Sequence, residues 1–327
     1  MADYSSIVNS LQIEITSYCN AFCPGCGRNY KGGETIPELN LKHIDLDLWK
    51  KILNDDFFTQ KVKIISLNGM FGDPLMHPKI YQMVELLPKN LYIEIHTNGS
   101  IRNPEFWSKF GVLLSQFDEH SLIWGIDGLE DTNHLYRRGT KWSNIIKNLE
   151  AFNSAGGMSE WWMTVFQHNK HQILETKKLA LELNCKTFST RESYSDRLYA
   201  KNYRDMPSHD CVAVSQEEIE SILGDNTFID VNEFDNDNVI NICPWLSTRF
   251  VQIDSNGKIW PCCYTSEQPV TKANYDDIWT FPNIENDLNV MTFEEIFQGE
   301  FFKNTIDDVW SQKKSQMCNS CISGVKP

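Results

Sequence analysis

LQIEITSYCNAFCPGCGRN, residues 11–29, opens as a β-strand and ends as a cysteine loop. The run LQIEIT is apolar enough to form a strand. The thiols that follow are spaced Cys19-x3-Cys23-x2-Cys26. A loop of this kind can wrap three thiolates around three corners of a 4Fe-4S cube and leave the fourth iron without a protein ligand. An open iron is where a small molecule can chelate. The alternative is structural zinc, which wants four ligands, and no nearby His or Cys supplies the fourth.

Five further strand-like runs follow: KVKIISL (61–67), LYIEIHT (91–97), SLIWGID (121–127), WWMTVFQ (161–167) and CKTFST (185–190). All read as strands covered on both faces. Helical patterns lie between them. Asp45 or Asp47 is placed to cap a helix carrying Leu48, Trp49, Ile52 and Leu53. Asn103 before Pro104 has the N-cap then proline order, and Ile145, Ile146, Leu149 and Phe152 form a stripe stopped by Gly156-Gly157. Six βα units in about 190 residues imply a parallel sheet with right-handed crossovers, either doubly wound or a whole or partial barrel. Ligands of such sheets sit at the C-terminal strand ends, where the first cysteine loop falls.

With 30 Lys+Arg against 44 Asp+Glu, the 327-residue chain has a formal charge of -14. That field repels nucleic acid and anionic membrane surfaces. A nucleic-acid enzyme is disfavoured, and a small molecule or a basic substrate fits better. No signal peptide and no run of 18 apolar residues is present, so the reading is a cytoplasmic chain. Its ten cysteines then point to metal rather than disulfides. Residues 205–237 hold ten Asp/Glu and no Lys or Arg, and read either as a solvated linker or as a rim that attracts a cation. Within them Ser215 to Glu218 fits a capping box for a short helix ending at Gly224.

The cysteine loop after the first strand resembles the radical S-adenosylmethionine (SAM) superfamily. The resemblance implies an α/β fold, a partial (β/α)6 TIM-type barrel, in which the open iron binds SAM. One electron then cleaves SAM to methionine and a 5'-deoxyadenosyl radical that abstracts hydrogen from the substrate. Gly72-Asp73-Pro74-Leu75 resembles the family's Gly-Gly-Glu-Pro motif, whose backbone receives the SAM amino group, with Gly72 permitting close approach. Thr97-Asn98 sits where relatives line the SAM pocket. GIDGLEDTNHLYRRG (125–139) resembles a fourth βα unit that usually begins Ser-x-Asp-Gly; Gly125 replaces the Ser, and one polar contact is therefore expected to be missing. Arg137 or Arg138 is the candidate for the SAM carboxylate. Many relatives carry an aromatic residue before the third cysteine; this chain has Gly25, which leaves Tyr18 or Phe22 to pack the adenine.

A second set, Cys243-x13-Gly257-x4-Cys262 followed by Cys318-x2-Cys321, resembles the shortened SPASM-type module called a twitch domain. The implied organisation is a barrel over 1–204, an acidic linker over 205–240 and an auxiliary-cluster domain over 241–327. Asp254-Ser255-Asn256-Gly257 is a hairpin turn between FVQI and KIW. Cys262 and Cys263, if on a strand, point to opposite faces, so one ligates, and Cys262 is chosen. Six residues follow Cys321, which sets the expectation at one auxiliary cluster. Structural zinc is the alternative here too. The expected cofactors are SAM and two 4Fe-4S clusters, one SAM-binding and one auxiliary.

Cys185 and Cys211 stand alone, and a buried inert thiol is the ordinary state. If the reaction is an epimerisation, Cys211 and Cys263 are the candidate hydrogen donors. His77 reads as a turn residue, His96 as a pocket candidate, and the tryptophans as core. The leading function is oxidation of a small molecule with the auxiliary cluster as electron acceptor, the enzyme drawing electrons from flavodoxin or ferredoxin. The competing readings are epimerisation, a ribosomal-peptide maturase and a non-catalytic cluster carrier. With ten residues before the first strand, a leader-peptide-binding domain is not expected, which favours a small substrate over a short peptide.

Overall fold

Alternation along each strand sets the architecture. In the computed structural model, which describes residues 4–30, 33–193, 212–224, 249–263, 265–266 and 285–305, all six expected strands are present. They are β1 (Ser10–Ile13), β2 (Ile64–Leu67), β3 (Tyr92–Thr97), β4 (Glu119–Gly125), β5 (Ser159–Val165) and β6 (Thr187–Glu192). All pair in parallel in chain order, with Leu11 opposite Ile65, Ile65 opposite Ile93, Ile95 opposite Leu122 and Trp124 opposite Trp161. The sheet is open.

Two more strands extend it beyond β1. β7 (Phe250–Ile253) runs parallel to β1 with Leu11 opposite Val251, and β8 (Ile259–Trp260) returns antiparallel. The turn between them is the one read from the sequence, and Gly257, at φ 85°, takes the left-handed conformation it needs.

The strands are not apolar on both faces, which corrects the expectation. Leu11, Ile13, Ile65, Leu67, Ile93, Ile95, Leu122, Trp124, Trp161 and Met163 are fully buried toward the helices. The opposite face carries Gln12, Ser66, Glu94, His96, Ser121, Glu160 and Thr187, following strand parity. These groups satisfy one another: Ser66 Oγ donates to Glu94 at 2.9 Å, and Ser121 Oγ and Thr187 Oγ1 donate to Glu160 at 2.6 and 3.1 Å.

Helices cover the outer face. Asp45, rather than Asp47, caps α1 (Leu46–Asn54) by accepting from Leu48 N at 2.7 Å. The expected strand start at Lys61 falls instead at the end of a short helix, Asp56–Lys61, which Asp55 caps through Phe57 N at 2.9 Å. Further helices follow the strands, among them α2 (Ile80–Glu85), α3 (Pro104–Leu114), α4 (Trp142–Ser154) and α5 (Ile173–Glu182). Asn103 caps α3 through Phe106 N at 2.9 Å. Trp107, Trp124 and Phe152 pack together beneath α3 and α4, the Trp107 and Trp124 ring centroids 4.6 Å apart.

The acidic stretch is not a solvated linker where it is described. α6 (Gln216–Leu223), capped by Ser215 Oγ, buries Ile219 and Leu223 together with Val214 in the main core. Lys170 Nζ lies 2.6 Å from Glu218, and Gln167 N donates to Val212 O at 2.9 Å. At the other side α7 (Phe293–Gln298), with a full Thr292–Glu295 capping box, stacks Phe293 on Phe57 at 5.1 Å and meets Tyr4 through Phe297. Among the described residues no helix is long and apolar enough to cross a membrane. Cys211, Cys243, Trp245, Cys318 and Cys321 lie outside the described residues.

Candidate functional site

The cysteine loop is stitched to the barrel by main-chain and buried polar bonds. Ser17 N donates to Lys42 O at 3.0 Å, and Lys42 N donates to Ser17 Oγ at 2.7 Å. Arg28, 4% exposed, donates through Nη1 to Ser17 O and to Phe71 O at 3.2 Å, and through Nη2 to Thr35 Oγ1 at 3.2 Å. Asn29 Nδ2 holds Cys23 O at 3.2 Å, and Cys26 N closes on Cys23 O at 3.2 Å. Phe22 N donates to Arg138 O at 2.8 Å, which ties the loop to the segment after β4.

Three cysteines held this way feel each other. Burial pushes the Cys23 thiol up to about 12 and raises Cys19, and the neighbouring thiolates raise both further. The positive charge of Arg137 opposes the rise at Cys23. Desolvated, mutually repelling thiolates are stabilised by cationic iron, so the donor set fits a cluster on Cys19, Cys23 and Cys26. Among the described residues no three His, Cys, Asp or Glu side chains are arranged to hold a single metal ion.

The loop after β2 comes up against this one. Asp73, 4% exposed, accepts from Leu75 N at 3.0 Å, Thr97 Oγ1 at 3.0 Å, Asn98 N at 2.8 Å and Asn98 Nδ2 at 2.7 Å. Its own N–H donates to Tyr18 O at 2.9 Å. Burial raises the Asp73 carboxyl against these donors. Asn98 Nδ2 also donates to Asn20 Oδ1 at 2.8 Å and lies 3.9 Å from Cys19 Sγ. Gly72, Asp73, Pro74, Thr97, Asn98 and Cys19 therefore converge at the C-terminal strand ends. A Cβ at Gly72 would run into the Thr16–Ser17 backbone, so the glycine is what lets the two loops approach each other.

Glu14 and Arg28 were not singled out from the sequence. The Glu14 carboxylate accepts from Phe71 N at 2.6 Å and Gly72 N at 3.1 Å, so it shapes the β2 loop from beneath. Burial, with Asp254 adding to it, pushes Glu14 up to about 8, while the two backbone donors and Arg28 oppose the rise. A carboxylate inside the apolar run LQIEI was the available signal.

After β4, Asp127 is fully buried and pairs with Arg137, Oδ2 to Nε at 2.6 Å. Its Oδ1 accepts from Thr164 N at 2.6 Å. Gly125 lies under the guanidinium: a Cβ there would meet Nη2 at 2.7 Å. The position expected to lack a polar contact is thus filled by Arg137. Arg138 Nε reaches Leu135 O at 3.3 Å. Tyr18 stacks on His43, centroids 4.6 Å apart, whereas Phe22 is 39% exposed beside Gly139.

Deeper in the lumen His96 Nε2 lies 2.7 Å from Glu94, with Trp162 edge-on at 5.1 Å. His77 is buried and held by Ile44 O at 2.8 Å; burial takes it down to about 4, a neutral structural group. Cys185 is core and pushed up by burial. Cys262 and Cys263 lie beyond β8, because the strand ends at Trp260 before Pro261, which has no N–H to continue a ladder. Opposite-face alternation therefore does not separate them; Cys262 N is held by Thr265 Oγ1 at 3.2 Å.

The open sheet thus carries a three-cysteine loop at the C-terminal end of its first strand, the edge at which ligands of such sheets bind. Residues 243–322 match the iron-sulfur cluster-binding domain SPASM, a span that begins on Cys243 and contains Cys262, Cys318 and Cys321. Among similar solved structures is Streptococcus suis SuiB bound to S-adenosylmethionine, at 17% identity and TM-score 0.54, covering 79% of this chain and 61% of that one. SuiB bound to its precursor peptide SuiA is similar at 16% identity and TM-score 0.53, covering 90% and 66%. anSMEcpe bound to AdoMet and the Kp18Cys peptide is similar at 16% identity and TM-score 0.56, covering 92% and 82%. The chain thus spans 61% to 66% of the SuiB structures' length. No curated protein sequence matches it.

Proposed function

We propose that the protein is a radical SAM enzyme that oxidises its substrate by two electrons, with the auxiliary cluster as electron acceptor and flavodoxin or ferredoxin as reductant. The observation that carries this reading is the meeting of Cys19, Asp73, Thr97 and Asn98 at one end of a polar-lined barrel. Cys19, Cys23 and Cys26 would hold a 4Fe-4S cluster, which would supply the electron for reductive cleavage of SAM.

The chain's own residues position the reactants. Glu14 and Asp73 fix the Gly72–Pro74 backbone that faces the SAM amino group, Thr97 and Asn98 close the pocket wall, and Arg137 or Arg138 supplies the charge for the SAM carboxylate. The lumen residues Glu94, His96 and Trp162 face the substrate. Cys243, Cys262, Cys318 and Cys321 hold the auxiliary cluster.

Peptide maturation is the second reading, favoured by the peptides bound to SuiB and anSMEcpe. Anaerobically reconstituted protein given dithionite and SAM should form 5'-deoxyadenosine, and Cys26→Ala should abolish it. Wild-type protein with a full cluster that makes none with either dithionite or flavodoxin refutes the reading.

A further inference from the structure

One aromatic side chain of the cysteine loop is left exposed. Ala21, Cys23, Pro24 and Gly25 are buried, whereas Phe22, the residue before Cys23, is 39% exposed. Its backbone N–H donates to Arg138 O at 2.8 Å, and its ring lies on Gly139, where a Cβ would stand 3.0 Å from Cδ2. Gly139, at φ 84°, is in the left-handed conformation that favours glycine. The cysteine loop and the segment after β4 therefore form one continuous surface, and that segment is basic. Residues 133–148 hold Arg137, Arg138, Lys141 and Lys147 and no Asp or Glu, in a chain whose formal charge is -14. Arg137 is neutralised by Asp127 at 2.6 Å, while Lys141 and Lys147 are exposed at the start and on the second turn of α4. Asp131, the acidic residue next upstream, is engaged by Gln172 Nε2 at 2.7 Å.

We propose that this face, with Phe22 at its centre and Lys141 and Lys147 on its rim, is where flavodoxin docks to deliver an electron to the cluster on Cys19, Cys23 and Cys26. The inference rests on the radical SAM reading. In that reading SAM and substrate occupy the lumen, so a protein donor must reach the cluster from outside it, and Phe22 stands in the chain between two of the ligand thiols. Flavodoxin is an acidic protein. A local positive face on an otherwise acidic molecule draws such a partner and also orients it, because the rest of the surface repels it. The exposed ring favours a flavin donor over an iron-sulfur one, since a flavin presents an apolar aromatic edge that packs against Phe22. The transfer balances: the anionic flavin hydroquinone becomes the neutral semiquinone, the cluster gains one electron, and no proton moves.

The test uses full-length, anaerobically reconstituted protein with SAM and reads two quantities: affinity for oxidised flavodoxin by calorimetry, and the stopped-flow rate at which flavodoxin hydroquinone is oxidised to semiquinone. Lys141→Glu combined with Lys147→Glu is expected to lower both about tenfold at low salt, and wild type at high salt should approach the variant. Lys61→Glu combined with Lys63→Glu makes the same change of charge at exposed positions before β2, at the opposite edge of the sheet, and should alter neither quantity by more than about twofold. Dithionite-driven formation of 5'-deoxyadenosine should be the same in all three proteins. Unchanged affinity and rate in the Lys141 and Lys147 variant overturn the inference, as does an equal loss in the Lys61 and Lys63 variant. An equal loss with dithionite also overturns it, because the lysines would then act on the SAM site. Wild type that is reduced by dithionite but not by flavodoxin, whether or not ferredoxin reduces it, overturns the inference and leaves the radical SAM reading standing. Wild type that forms no 5'-deoxyadenosine with any of these reductants refutes that reading, and this inference with it.

Discussion

The Asp73 carboxylate accepts both the main-chain and the side-chain N–H of Asn98, at 2.8 and 2.7 Å, and so joins the loop after β2 to the end of β3. Asn98 in turn reaches the cysteine loop through Asn20 at 2.8 Å. Three loops that arise from three strands are one hydrogen-bonded unit, and the site's geometry depends on that unit.

Asp73→Ala is therefore expected to cut SAM-dependent 5'-deoxyadenosine formation by about a hundredfold and stability by about 3 kcal/mol, since several buried donors lose a charged acceptor together. Asp73→Asn should be little better, because its amide points N–H groups at N–H donors. Activity within threefold of wild type in either variant contradicts the brace.

Glu14 predicts a pH dependence of stability. Its pKa rises from 4.5 unfolded to about 8 folded, so between those values the folded state binds the extra proton and stability falls as pH rises. Below pH 4.5 the group is neutral in both states, and above 8 no further loss accrues from it. Glu14→Gln keeps an oxygen to accept from Phe71 N and Gly72 N but cannot ionise. In urea unfolding of reduced protein the variant should match wild type near pH 5 and become the more stable by a few kcal/mol near pH 8.5. A difference that does not change with pH contradicts this.

Metal content separates iron-sulfur from zinc. Reconstituted wild type should hold about eight irons and eight sulfides, and changing Cys19, Cys23 and Cys26 together to Ala should leave about four. Zinc at the second site in protein purified without oxygen contradicts the auxiliary cluster.

What was legible in the sequence was local or periodic. Strand positions, the Asn103–Pro104 helix start and the 254–257 turn depend on neighbours within a few residues, and each was read within about three residues of where it lies. The polar lumen was also written there, as Tyr92, Glu94 and His96 alternating with Ile93 and Ile95, but the apolar half of the pattern outweighed it. Glu14 and Arg28 escaped because both hold the backbone of Phe71, which lies 57 and 43 residues away from them. Gly125 was read as a lost contact because its occupant, Arg137, comes from twelve residues further along the chain.

The last prediction decides between oxidation and hydrogen return. A substrate radical is quenched either by losing an electron and a proton, which gives a two-electron oxidised product, or by gaining a hydrogen atom from a thiol, which gives an epimer. In the first case replacing Cys318 and Cys321 should stop product formation while sparing SAM cleavage, because the closed cluster is the electron acceptor. In the second, one thiol outside both clusters becomes essential, and Cys211→Ala or Cys263→Ala should accumulate 5'-deoxyadenosine without product. Loss of soluble protein in the Cys318 and Cys321 variants would instead assign that cluster to folding, since cluster binding energy can be folding energy. Turnover in deuterated water gives the discriminating count. A thiol exchanges its hydrogen with solvent before donating it, so deuterium at carbon in the product identifies a thiol donor. The proposed oxidation requires an oxidised product carrying no solvent deuterium at carbon, and one deuterium per product molecule would refute it.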